Sequence, residues 1–68
     1  MRVPKLERNI RMYIGRLRGL GLTEVGRYEG VSQGRAYQIV TATEYQLAKG
    51  NPDYWAEYKR QNGSYKAP

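Results

Sequence analysis

The segment from Leu22 to Thr41, LTEVGRYEGVSQGRAYQIVT, constrains the fold more than any other part of the chain. Gly30 divides it into two stretches that each read as a short helix. Thr23 is placed to cap the first of them. Gly30 falls at the corner, where a positive φ is needed and glycine adopts it at least cost. Val31 is expected to plug the space between the two helices, and Ser32 to cap the second. Gly26 is unfavourable for helix propensity. Its missing side chain has a use here, because it lets the following helix cross closely.

The flanking sequence supplies two more helices. The first is predicted from about Pro4, a good first-turn residue, to about Arg18. Leu6, Ile10, Tyr13, Ile14 and Leu17 recur at three- and four-residue steps and so share one face. Arg8, Arg11 and Arg18 fall on the far side, close enough to form one patch. The Gly19-Leu20-Gly21 run ends this helix. A third helix is predicted from Gln33 to Lys49, stopped by Gly50. Ala36, Ile39, Val40, Thr43 and Leu47 form its inner stripe, and Gly34, Tyr37, Gln38, Thr41 and Tyr45 its outer face. Asn51-Pro52-Asp53 starts a fourth, ending near Gln61: a cap, a first-turn proline and an acid suited to the helix dipole. Trp55 and Tyr58 are expected to close the core. The expected fold is all-α, about four helices around a helix-turn-helix at 22–41. Residues 1–61 form the single domain and 62–68 a frayed tail.

Composition narrows the function. With 68 residues, no cysteine and no histidine, the chain lacks disulfides and the usual zinc ligand sets. It shows no paired-carboxylate pattern, so neither enzymatic work nor a cofactor is expected. No apolar run is long enough to span a bilayer, and MRVPKLER is too polar for a secretory signal. A cytoplasmic location, with no membrane partner, is the expectation. The net charge of +6 is unevenly spread. Residues 1–18 carry Arg2, Lys5, Arg8, Arg11, Arg16 and Arg18 against Glu7 alone, whereas residues 19–50 are neutral. A basic first helix on a neutral middle favours polyanions, nucleic acid first among them.

Val25-Gly26-Arg27, Gly30-Val31-Ser32, Arg35, Gln38-Ile39 and Leu47 together resemble region 4 of primary-type bacterial sigma factors and the related helix-turn-helix regulators. The likeness covers about 25 residues by motif matching. In that family the second helix of the pair enters the major groove, and the module also docks on RNA polymerase. Carried over, the resemblance implies that Arg35 holds a phosphate, Gln38 addresses a base edge, and Ser32 caps the helix and touches backbone. Three positions depart from the pattern: Glu29 stands where leucine is usual, Gly34 where a charged base-facing residue is usual, and Glu44 where a core leucine is usual.

Two functions follow as expectations. In the first, a small transcription regulator binds double-stranded DNA through Ser32, Gln33, Arg35, Tyr37, Gln38 and Thr41. Arg2, Lys5, Arg8, Arg11, Arg16 and Arg18 then hold phosphates, with Lys49, Lys59 and Arg60 as further candidates. In the second, a phage-encoded protein of sigma-like shape binds host RNA polymerase and competes with the host factor. There the same basic amino-terminal residues meet an acidic polymerase surface, and Tyr37 and Tyr45 serve as interface aromatics.

Overall fold

The computed structural model describes residues 5–64, and the residues it describes form four α-helices. They are α1 (Leu6–Leu17), α2 (Leu22–Glu29), α3 (Gln33–Ala48) and α4 (Pro52–Ser64). Helix α1 is the centre of the molecule, packed against each of the other three.

That central position explains where periodicity misjudged α1. Leu6, Ile10 and Ile14 are buried with Leu47 and Tyr54, and Tyr13 and Tyr58 pack at the edge. A second cluster joins Met12 to Val25, Ala36 and Ile39 of α2 and α3. Met12 stands about 200° around the helix from Ile10, outside the predicted stripe, yet it is fully buried. Leu17, assigned to the stripe, is 57% exposed. A helix with neighbours on two sides needs apolar residues on two sides, and in its last turn Ile14 is still covered while Leu17 is not. The predicted start at Pro4 lies outside the described residues, and α1 begins after Lys5, whose φ is 60°.

The corner between α2 and α3 forms as the spacing predicts. Gly30 has φ 73° and ψ 28°. The Val31 amide donates to the Gly26 carbonyl at 2.8 Å, and the Gly30 amide to that of Arg27 at 3.3 Å. This is the paired closure that ends a helix on a left-handed residue. The same bond pattern closes α1 at Gly19 and α3 at Gly50. The Gly26 backbone lies directly under the corner. A Cβ built there would sit 2.7 Å from the Val31 carbonyl oxygen and 3.4 Å from the Ala36 Cβ. The close crossing therefore depends on the absent side chain. Val31 is half-buried in the second cluster, as a plug should be.

The start of α2 differs from expectation. Gly21, not Thr23, is the N-cap residue, and the Glu24 carboxylate accepts the Gly21 amide at 3.2 Å. A carboxylate three residues into a helix can satisfy this orphan donor by itself, which leaves Thr23 exposed inside the helix.

Helix α3 buries Ala36, Ile39, Thr43 and Leu47, with Val40 half-buried. Thr43 is fully buried, and its hydroxyl donates to the Ile39 carbonyl at 2.8 Å. Helix α4 starts as its sequence predicts, Asn51 Oδ1 accepting the Asp53 amide at 3.0 Å. It runs past the expected end at Gln61 to Ser64, so the predicted tail is helical over its first part and otherwise lies outside the described residues. The core aromatic of α4 is Tyr54, at 8% exposure, rather than Trp55, at 38%. Trp55 instead donates its indole N–H to the Leu47 carbonyl at 2.8 Å, a second donor to an oxygen that the Gly50 amide already reaches at 3.0 Å. Tyr58 meets Trp55 and Tyr13 edge-on, with ring centroids 5.5 and 6.1 Å away.

Candidate nucleic-acid interface

Helix α3 owes its outward face to the corner that precedes it. Ser32 takes an extended conformation, and its Oγ accepts the Arg35 amide at 3.2 Å, so the helix starts where predicted. Ala36 and Ile39 anchor the inner side. Gly34, Tyr37, Gln38, Thr41 and Tyr45 are exposed, as the stripe analysis predicts, and so are Gln33 and Arg35. From Gln33 to Thr41 this strip runs about 12 Å along the axis. Arg35 donates from Nη1 to Gln38 Oε1 at 3.4 Å, a long bond that keeps the two side chains on one line. Nothing lies within 4 Å of a Cβ placed at Gly34, which leaves open space in the strip. Further along, Lys49 Nζ lies 5.4 Å from the centroid of the Tyr45 ring.

The basic residues of α1 divide into groups with different partners. Arg11 forms a two-pronged ion pair with Glu29, Nε to Oε2 at 2.7 Å and Nη2 to Oε1 at 2.8 Å. This contact from α1 compensates the carboxylate charge at the end of α2. The side chain is only 14% exposed, but the charge is matched from α1. The hydrogen bonds from Arg11 hold the Glu29 carboxyl below its ordinary 4.5 against the opposing effect of burial, and the charge of Arg8 acts in the same direction. The Arg11 guanidinium is raised by the same pairing. Arg8 and Arg11 thus stand beside the end of α2, next to the corner. Arg8 also donates to Asn9 Oδ1 at 3.1 and 3.3 Å.

At the other end of α1, Arg16 donates to the Leu20 carbonyl at 2.8 Å and Arg18 to Asn62 Oδ1 at 3.1 Å. The expected single patch of Arg8, Arg11 and Arg18 therefore has a carboxylate set into it and extends toward α4. Lys5 is exposed at the start of α1, and Arg2 lies outside the described residues.

Two features escaped the sequence reading. Glu57 is 4% exposed, and its carboxylate is held by Arg60 and by Gln61 Nε2 at 2.8 Å. Gln61 Nε2 also donates to the Glu7 carbonyl at 3.0 Å, tying α4 to α1. The spacing of Glu57, Arg60 and Gln61, three and four residues apart on a helix, was the available signal. Arg60, a candidate phosphate contact, is committed to this network. The second feature is Arg27, exposed in the last turn of α2 and so a cation close to the corner.

The Arg11–Glu29 pair makes an acid-dependent contribution. A carboxyl whose folded pKa is depressed stabilises the fold above its ordinary value, and that stability is lost as the pH falls through the folded value. Arg11 is 54% exposed, so solvent screens the pair, and Glu29→Gln is expected to cost about 0.5–1 kcal/mol at neutral pH. Thermal melts followed by circular dichroism should show the parent and variant converging as the pH drops below 4.5. A gap that stays constant with pH would remove this assignment.

The chain matches no protein-family model, no curated protein and no solved structure. Among the described residues no helix is long and apolar enough to cross a membrane.

Proposed function

We propose that this protein is a non-enzymatic transcription regulator that binds double-stranded DNA, with α3 in the major groove. The observation that carries the reading is the outer strip of α3. It is polar, contiguous and unpacked, and it begins at a capped helix start that a tight corner projects outward. Gln38 carries an amide that can pair with adenine, and Tyr37 and Thr41 can contact thymine methyls or phosphates. Arg35 and Arg27 flank the corner, and Arg8 approaches it from α1; these supply phosphate contacts. Such a regulator acts in the cytoplasm, on the chromosome.

A second reading has its own support. Two candidate clamps, Arg11 and Arg60, are tied to Glu29 and Glu57, and Tyr37 and Tyr45 are 59% and 61% exposed. A face rich in tyrosine and poor in free cations also suits a protein partner. On this reading the partner is bacterial RNA polymerase, and the protein competes with the host sigma factor for it.

A mobility shift with random and selected duplexes, run beside a pull-down with purified RNA polymerase, tests both. For DNA the expected log–log salt slope is about −3, from the three arginine contacts to phosphate. A flat salt response, or no shift at micromolar protein, removes the first reading. The second gains if polymerase binding survives Arg35→Ala and Gln38→Ala but is lost on Tyr37→Ala with Tyr45→Ala.

A further inference from the structure

The capped start of α3 turns one narrow ridge of the helix directly away from the core. With buried Ala36 as the inward direction, Gly34, Gln38, Thr41 and Tyr45 all lie within about 40° of the opposite direction, and all four are exposed. Arg35 and Tyr37 stand about 80° to either side of the ridge. No residue on the ridge is charged, in a protein of net charge +6. Gly34 has no side chain and nothing within 4 Å of a Cβ position, so the backbone at the start of the ridge can come close to a surface. Gln38 stands one turn on, and Arg35 Nη1 donates to its Oε1 at 3.4 Å. An amide oxygen has two lone pairs, so this bond orients the amide and leaves it able to accept once more. Thr41 follows about 4.5 Å further along the axis, close to the spacing of stacked base pairs, about 3.4 Å.

We propose that the ridge reads a step of two A·T base pairs in the major groove: Gln38 holds an adenine, and Thr41 packs its methyl group on that of a thymine in the adjacent pair. The inference rests on the DNA reading above and adds to it the bases that α3 selects. The chemistry of the ridge decides among the four. Adenine presents an acceptor at N7 beside a donor at N6, and the Gln38 amide offers a donor beside an acceptor to match. Guanine presents two acceptors, N7 and O6, and calls for the paired donors of an arginine or lysine; against it the Gln38 oxygen faces another oxygen. Cytosine presents a donor and calls for a carboxylate, and the ridge has none. Thymine alone of the four carries a methyl group in the groove, and Thr41 is the ridge residue that ends in one. Arg35 is the residue type that serves guanine, but it stands off the ridge, on the side that meets the groove wall and its phosphates.

The test is fluorescence anisotropy with the full chain and a duplex selected from a random library. The selected site is expected to contain two adjacent A·T pairs. Replacing the read adenine by 7-deazaadenine removes N7 and should weaken binding about fivefold or more. Replacing the read thymine by uracil removes only the methyl and should weaken it about fourfold, the loss for one buried methyl. Each penalty should vanish in one variant: the deaza penalty in Gln38→Ala, and the uracil penalty in Thr41→Ser, which keeps the hydroxyl. In Arg35→Ala both should persist at lower overall affinity. All three side chains are exposed, and thermal melts that match the parent show that the variants stay folded. Guanine or cytosine at the read pairs, or penalties that do not follow Gln38 and Thr41, overturn the inference and leave DNA binding standing. So does tight binding without base preference. No binding to any duplex removes the DNA reading and this inference with it.

Discussion

Gly26→Leu is expected to abolish the cooperative unfolding transition of this domain, as read by thermal circular dichroism. The nearest atom to a Cβ at this position is the carbonyl oxygen of Val31, at 2.7 Å, and the next is that of Ser32, at 3.2 Å. Both are backbone atoms. They cannot rotate aside as a side chain can, and the Val31 amide is held to the Gly26 carbonyl at the same place. Relief requires α2 and α3 to separate, which would unpack Val25, Ala36 and Ile39 together. Overpacking of this kind costs about 1–3 kcal/mol or more. A core this small rarely supplies more than about 3–5 kcal/mol in total.

Gly26→Ala is the milder case. Helix propensity returns up to about 1 kcal/mol, and the backbone clash outweighs it, so a lowered but cooperative melt is expected. Gly34→Ala is the matched control with the opposite sign. That glycine is also helical, but nothing lies within 4 Å of its Cβ position, so propensity acts alone and the domain gains about 0.5 kcal/mol. If Gly26→Leu melts like the parent, the close crossing is not what sets the position of α3.

The second large effect is on DNA affinity. Arg35→Ala should weaken binding to every duplex alike and reduce the salt slope by about 1, because a phosphate contact carries no sequence information. Gln38→Ala should cost about 1–3 kcal/mol on the selected site, roughly 5- to 150-fold, and little on random sequence. Both residues are exposed and outside the two core clusters, so their melts should match the parent and a loss of binding reads as a loss of contact. A pair of variants that bind both duplexes like the parent would take α3 out of the groove.

Much of the path to this strip was legible in the residues. The glycine corners, the Ser32 cap, the Asn51 start of α4 and both faces of α3 are local properties. Each depends on a few neighbours in the chain and on the turn of a helix. The misread positions share a different origin. Met12 and Leu17 exchanged roles because α1 is flanked on two sides, and a periodicity analysis sees one face. Tyr54 rather than Trp55 entered the core because the indole N–H found the last turn of α3, a partner eight residues back across the Gly50 turn. The carboxylate of Glu29 found its partner in Arg11, 18 residues earlier in the chain.

The amino-acid order alone determined where helices start and stop and which side of α3 is polar, since caps, φ preferences and apolar spacing act within a few residues of themselves. Tertiary structure decided which charges remain available. Arg11 is matched by Glu29, a carboxylate that only packing brings within reach, whereas the Glu57 partner of Arg60 stands one turn away on the same helix. Partners of the first kind depend on distances between separate helices, and those distances are set by the fit of the whole core.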